Sequence, residues 1–304
     1  MNIINKYRLI LFGVLVLWGI NATAQSRYFD ERYIYTQAQL QPQLINPGAF
    51  GAKGNHNVLL NYRNKWAGIS GTPKTITLAY NGAIGNGLGI GVNVVSDRYG
   101  FLESTKGAAG LSYTVKTQNN RIGFGITGEY IKHSLSGFGN ADPTDPFIVQ
   151  ALSGTEYFDA SFGLYGTYME KFNYGIALPS AVSSRISGES DDETDRTLGF
   201  ILQMAYKMQI HPDVSMQPGF IFKKLNQVPT HMDLNLVFGF LQDKLTGGLN
   251  YTFGADKRVG FLIGTRASVL NIFYSYNSSS SVVQDYNNGS HELTLSVDFG
   301  GKKM

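Results

Sequence analysis

The sequence predicts an all-β protein, a transmembrane antiparallel β-barrel of the outer membrane with about 14 strands. Three observations lead there. Apolar and polar residues alternate in segment after segment, strand charge gathers on one of the two alternating phases, and short connections alternate with long ones. Composition sets the frame: of 304 residues, 36 are Gly, 19 are Phe, 18 are Tyr, none is Cys, and only 15% are charged. Such a chain is rich in strand formers and poor in the charge that a soluble surface of this size carries.

Lys6 and Arg8 precede the apolar run LILFGVLVLWGI (Leu9 to Ile20), and Ala22-Thr23-Ala24 sets small residues at a cleavage position. This pattern predicts a secretory signal peptide over residues 1–24, cut before Gln25. No cysteine follows, so an N-terminal lipid anchor, disulfides, thiolate metal sites and a cysteine nucleophile are all excluded. The mature chain carries 23 basic and 22 acidic residues, a net charge of +1 without a basic stripe, which offers nucleic acid no footprint. Beyond the signal there is no run of about 18 apolar residues, so a membrane crossing requires a closed barrel. Residues 25–55 show no alternation and are expected to plug the lumen or to stay in the periplasm; residues 56–304 are expected to form the barrel.

The lipid-facing phase of each expected strand reads in order. It begins with Val58, Leu60, Tyr62; Ile76, Leu78, Tyr80; Leu88, Ile90, Val92; Leu111, Tyr113, Val115; and Ile122, Phe124, Ile126. The middle of the chain adds Phe158, Phe162, Leu164; Tyr174, Ile176, Leu178; Leu198, Phe200, Leu202; and Val214, Met216, Phe220. Leu234, Leu236, Phe238; Leu249, Tyr251, Phe253; Val259, Phe261, Ile263; Leu270, Ile272, Tyr274; and Leu293, Leu295, Val297 complete it. The opposite phase carries Arg63, Lys116, Glu129, Asp159, Lys207, Lys223, Asp233, Arg266 and Asp298 among Gly, Ser, Thr and Asn. A charge facing lipid at mid-bilayer costs about 2–4 kcal/mol, so this sorting marks a lipid-facing exterior and a polar lumen. A soluble sandwich also buries one phase, so the connections decide. IGNG, TQNN, MEKF, HPD and QDK are short, whereas Ser134 to Glu156, Pro179 to Asp195 and Ser278 to Ser290 are long and polar. Short turns on one side and long loops on the other belong to an outer-membrane barrel, whose even strand count puts both ends in the periplasm.

Two local features need separate treatment. GNGLGIGVNVVSD (Gly85 to Asp97) has glycine at every second position from Gly85 to Gly91, with Leu88, Ile90, Val92 and Val94 on the other phase, a strand period and not the G-x-G-x-x-G of a dinucleotide loop. Its glycines, Gly85 to Gly91, are expected on the luminal phase, leaving space for the N-terminal segment or a client chain. Pro218 falls inside the ninth strand, where it lacks a donor, and a bulge is expected there.

Chemistry-bearing residues are sparse. His56, His133, His211, His231 and His291 show no metal-ligand spacing. Ser290 and His291 adjoin at the mouth of the last strand, and a barrel enzyme would need such a pair to meet in space. The acidic run GESDDETD (Gly188 to Asp195) lacks the order of a calcium loop and reads as a solvated loop. No cofactor or metal is expected, and the aromatic surplus suits the two interfacial belts of a membrane barrel.

YRNKWAGISGTPKT (Tyr62 to Thr75) joins an aromatic and cationic strand end to a Gly-Thr-Pro turn. This segment resembles the first hairpin of the PorP/SprF family, outer-membrane proteins of the type IX secretion and gliding machinery. LINPGAFG (Leu44 to Gly51) is similar to that family's Asn-Pro-Ala-rich opening segment, and GLGIGVNVVSDRYG to its third strand. FDASFGLYGTYMEKFNYGIALP resembles its middle hairpin, GFIFKKLNQVPTHMDLNLVFGFLQDKLTGGLNYTFG its ninth to eleventh strands, and YNNGSHELTLSVDF its closing strand. The resemblance implies a non-enzymatic barrel among outer-membrane lipids. Its partners would be type IX secretion components or, in one branch, a large secreted surface adhesin. Partner recognition is expected at Asn46, Pro47, Arg63, Asn64, Lys65 and Trp66, which lie in the matched segments. Gly48 stands where the family has alanine, a departure expected to matter little, and GGKKM follows Phe299, so the terminal aromatic is not the last residue. A diffusion channel or solute transporter is the alternative that architecture alone leaves open.

Overall fold

The structure, a computed structural model, describes residues 32–135, 154–182, 184–187, 198–225, 228–254, 257–279 and 287–300. The acidic run at 188–195 therefore lies outside the described residues. The first eight strands are β1 (His56–Asn64), β2 (Lys74–Gly85), β3 (Leu88–Tyr99), β4 (Leu102–Lys116), β5 (Asn120–Leu135), β6 (Thr155–Tyr168), β7 (Phe172–Leu178) and β8 (Ser184–Ser187). The rest are β9 (Phe200–Tyr206), β10 (Met208–His211), β11 (Val214–Lys224), β12 (His231–Phe240), β13 (Leu245–Gly254), β14 (Arg258–Ala267), β15 (Leu270–Ser279) and β16 (Ser290–Phe299). These 16 segments make 14 staves. The segments β7 and β8 both pair β6 on either side of the turn and bend at 179–182, and β9 and β10 both pair β11. Every pairing is antiparallel between neighbours, and β1 closes onto β16 from His56↔Phe299 to Asn64↔His291. The described strands form one closed 14-strand antiparallel barrel.

Closure follows from the solvent. Inside a bilayer each unpaired N–H or C=O costs several kcal/mol, and a ladder without edges removes that cost. The alternation decides the sidedness: on β1, Val58, Leu60 and Tyr62 are exposed outward while Leu59, Asn61 and Arg63 are buried inward. Luminal charge is deeply covered, with Glu129, Asp159, Lys223 and Glu292 each at most 3% exposed. At the short-turn end His56 stacks between Tyr80 and Phe299, with ring centroids 6.1 and 5.5 Å away, and forms part of an interfacial aromatic girdle.

Three sequence expectations need correction. First, strand charge is not wholly luminal: Lys132 pairs Glu156 at 3.3 Å, and Arg98 pairs Glu103, all on the outward phase. The physical reason is height. The strands β4, β5 and β6 have 15, 16 and 14 residues against nine in β1, so their long-loop ends stand above the lipid and meet water. Second, Pro218 makes no bulge. Its register to Leu236 is continuous, but without an N–H it leaves the ladder on its other side open, and the stave divides into β9 and β10. On the opposite side of this stave Lys207 N bonds to Lys171 O at 2.8 Å, continuing the register of β7 with β9. Third, only Gly89 and Gly91 of the glycine series face the lumen. Gly85 and Gly87 belong to the turn, where Asn86 and Gly87 both have positive φ (51° and 80°), the conformation that matches a two-residue hairpin to strand twist.

The turn between β12 and β13 is more unusual, since Leu241, Gln242 and Asp243 all have positive φ, at 53°, 58° and 65°. A clasp holds it: Asp243 pairs with Lys207, Ser215 Oγ donates to Asp243 Oδ1 at 2.6 Å, and Arg266 donates to the Asp243 carbonyl at 2.9 Å.

A lipid-facing exterior has a direct consequence. Leu249, 60% exposed at mid-strand on β13, is expected to tolerate apolar exchange, whereas Leu249→Arg should destabilise the barrel by about 2–4 kcal/mol. Urea unfolding into lipid vesicles measures it; an unchanged midpoint would place that face out of the bilayer.

Candidate functional site

The lumen is occupied by the chain's own N-terminal segment. Tyr33, Ile34, Tyr35, Gln37, Ala38, Ile45 and Asn46 are each at most 4% exposed, although they precede the first strand. Two short 3-10 turns, Pro42–Leu44 and Pro47–Ala49, give the segment its shape. Each begins with proline, whose fixed φ suits a first helical position and whose missing N–H is not needed there. Asn46 joins the turns to the wall. Its Oδ1 accepts from Gly48 N at 2.9 Å, and its Nδ2 donates to Leu164 O at 2.9 Å and Ile176 O at 3.3 Å on β6 and β7.

Glycines in the wall form the seat. A Cβ on Gly125 would lie 2.2 Å from Pro47 O and 2.6 Å from Gly48 N, and one on Gly123 would lie 2.2 Å from Gly48 O. Gly163 is filled in the same way by Asn46 and Pro47, and Gly89 and Gly91 by Phe50. No side chain fits between plug and wall at these points, because real Cβ contacts do not approach so closely. The same holds in reverse at Gly48, where a Cβ would meet Gly123 O and Tyr165 N at 2.7 Å. Glycine at position 48 lets two backbones touch.

Higher in the lumen, side-chain bonds take over. Tyr33 OH donates to Glu129 Oε2 at 3.0 Å and accepts from Lys106 Nζ at 3.2 Å, and Lys106 lies 3.5 Å from the same carboxylate. Ser161 and Thr127 donate to the other oxygen, Glu129 Oε1, at 2.6 and 3.0 Å. Tyr35 OH meets Thr77 Oγ1 at 2.9 Å, under the Arg63 guanidinium 5.8 Å from its ring. Thr36 N donates to Glu292 Oε2 at 2.8 Å, and Gln37 Nε2 reaches Ser275 Oγ at 2.9 Å. A buried charge missing its partner costs about 3–5 kcal/mol, so these carboxylates hold the plug only while their donors stay in place. Beside the plug, cavities of about 10 Å³ each remain against β12 to β14, each the size of one water.

The six residues expected at a recognition surface fall into two places. Asn46 and Pro47 are buried in the plug. Arg63 and Lys65 are each 5% exposed at the long-loop end of β1, Arg63 donating to Thr75 Oγ1 at 3.0 Å and Lys65 Nζ lying 4.7 Å above the Trp66 ring. Asn64 and Trp66 are half-buried beside them. Trp66 has φ 53°, and the loop it opens is tied to the chain ahead of β16, with Ala67 N to Gly289 O at 2.8 Å and Asn288 N to Ala67 O at 2.7 Å. Sequence reading missed Lys106, Glu292, Tyr33 and Tyr35. Lys106 and Glu292 were legible by parity, since both lie on the phase opposite the outward Leu111 and Leu293; the tyrosines lie where no period exists. Ser290 and His291 do not form a pair: Ser290 is buried in the lumen, while His291 faces outward and bonds Tyr274 OH through Nδ1 at 2.7 Å. Among the described residues no group of His, Cys, Asp and Glu could hold a metal.

A sequence model described as type IX secretion system membrane protein PorP/SprF matches residues 29–297, plug and barrel together. The chain belongs to the PorP/SprF family. Among curated proteins there is no match. The PorP/SprF chain is similar in fold to the Ralstonia pickettii toluene transporter TbuX, with a TM-score of 0.53 at 10% identity, covering 89% of this chain and 95% of that one. The Acinetobacter baumannii outer membrane protein Omp33 aligns with a TM-score of 0.45 at 8% identity over 81% of this chain and 99% of that one. At 10% identity the likeness to TbuX speaks for the outer-membrane barrel fold alone.

The glycine seat makes a measurable prediction. Gly125→Val forces methyl groups into plug backbone, at a cost of about 1–3 kcal/mol, which raises the dislodged population about five- to 150-fold. Trypsin should then cut at Arg32, which is covered in the lumen of the unaltered protein, while the barrel keeps its heat-resistant mobility. Equal cleavage of both proteins would remove the seat from the account.

Proposed function

We propose that this protein serves the type IX secretion system as a sealed, non-enzymatic barrel that works through contact with other proteins. It helps export or hold a secreted surface adhesin, or joins the outer membrane to the envelope-spanning complex. The observation that carries this reading is the plug: its backbone fills the space a solute path would need, and it is fixed at both ends of the lumen. A barrel filled in this way offers partners its loops, its rim and its periplasmic turns.

Among the expected recognition residues, Trp66 in the loop after β1 is the one set to meet a partner at the surface. Asn46, Pro47, Arg63 and Lys65 would act from inside, by holding the plug and the loop in shape. Asn64, half-buried between them, belongs with the loop. The raised rim of β4 to β6, with outward ion pairs above the lipid, adds a second surface for protein contact.

A solute channel is the second reading. The fold shared with a protein named as a toluene transporter favours it, as does the small cavity between Lys223, Asp233 and Arg258. One experiment separates the two. The protein is extracted gently from native envelopes through a C-terminal tag, and its partners are identified by mass spectrometry. Planar-bilayer conductance is then measured on the same sample. Secretion components or a large surface protein in the eluate, with a silent bilayer, is the expected outcome. A lone barrel with steady conductance would replace this reading with the channel.

A further inference from the structure

Two cations meet on the outside of the wall. Lys74 begins β2 and lies directly opposite Arg98 in the ladder to β3, and both are exposed on the outward phase. Like charges placed directly opposite each other destabilise a pair of strands. One carboxylate serves both: Glu103 pairs with Arg98 from β4, whereas Lys74 has no ion pair among the described residues. The loop at 65–73 ahead of Lys74 contains no acidic residue, and Asp97, next to Arg98 in sequence, turns inward and accepts from Thr75 Oγ1 at 2.7 Å. Lys132 and Glu156 differ in this respect, being an outward pair in register on β5 and β6 that cancels its own charge.

The height of this pair is the second observation. On β3 the exposed apolar residues Leu88, Val92 and Val94 all lie below Arg98, and Leu88, at the short-turn end, is ten residues away. Ten residues of tilted strand rise about 25 Å, which is the height of a barrel's apolar band. Lys74 and Arg98 therefore stand where acyl chains end and lipid headgroups begin, on the long-loop side of the membrane. Tyr62, outward on β1 and one row lower, sits as an interfacial aromatic does.

We propose that Lys74 and Arg98 together hold the phosphate of an anionic lipid in the outer leaflet. A guanidinium offers a phosphate two parallel N–H donors, and an ammonium adds a compact charge beside it. The donors of Arg98 suffice for Glu103 and the phosphate at once. Bound between the two cations, the anion removes the repulsion that the bare pair carries. The apolar band directly below gives the lipid's acyl chains their place, which a free anion or an acidic protein segment would not use. A lipid held at β2 and β3 leaves Lys132 and Glu156, on the raised rim, to protein contact.

Native mass spectrometry of the purified protein in detergent, titrated with diphosphorylated lipid A, tests this. The variants are Lys74→Gln, Arg98→Gln and the two combined, with Lys171→Gln, an exposed cation in the short turn between β6 and β7, as control. A cation beside an anionic lipid surface adds about fivefold in affinity, so each single substitution should weaken lipid A binding about fivefold and the pair about 25-fold, with Lys171→Gln within about twofold of the unaltered protein. No lipid A binding, or binding that the double variant keeps, overturns the proposal. Displacement of lipid A by inorganic phosphate at equal concentration makes this a free-anion site and overturns the lipid assignment. An acidic protein that is lost from the native-envelope eluate of the double variant, with lipid A binding intact, gives the pair to a protein partner instead. The titration needs neither a secretion partner nor conductance, so it stands or falls apart from the proposed function.

Discussion

The barrel depends on one constraint: within the bilayer no backbone polar group can turn to water, so the ladder must close. Closure of β1 on β16 satisfies it, and almost everything else is arranged around that ring. Because side chains alternate strictly, closing the ring sends one phase to lipid and the other to a lumen too narrow to be left dry and unfilled. Fourteen staves enclose more space than their inward side chains occupy, particularly where those residues are glycine. The N-terminal segment fills what is left.

Two physically different devices hold that segment. Low in the barrel the contact is backbone on backbone, with Pro47, Gly48 and Phe50 lying on Gly89, Gly91, Gly123, Gly125 and Gly163. This depends on shape and is insensitive to charge. Higher up, phenol, guanidinium and carboxylate groups interlock around Tyr33 and Tyr35, and there every donor needs its acceptor. A partner acting from the surface would meet the polar device first. One acting from the periplasm would meet the glycine seat.

Much of this was legible in the sequence, for reasons that can be named. Alternation gives sidedness directly, and all fourteen staves announce themselves because lipid tolerates no exception at mid-bilayer. The exceptions that exist, Lys132 with Glu156 and Arg98 with Glu103, sit above the lipid, and parity alone carries no information on height. Pro218 signalled a missing donor correctly but not its remedy, since an open ladder position and a bulge answer the same loss. The plug was legible only as one of two places for residues 25–55, and its path was not. Its path is set by contacts such as those of Tyr35 and Thr36, 42 and 256 residues away in sequence, and a segment without period gives no hint of what it will touch. The glycines pointed to space for the N-terminal segment or a client chain without deciding between them, and two of those expected to line it serve a turn. The recognition residues illustrate the same limit: resemblance brought Asn46, Pro47, Arg63, Asn64, Lys65 and Trp66 together, whereas the fold divides them between the plug and a surface loop.

The central claim is that residues 32–55 are a fixed part of the lumen. Hydrogen–deuterium exchange of the purified barrel in lipid nanodiscs tests it most directly, because the Thr36 and Gly48 amides are bonded inside the lumen. The account predicts that peptides covering these residues exchange as slowly as the strands β1 and β16. Exchange within seconds, at the rate of an unstructured peptide, would contradict it.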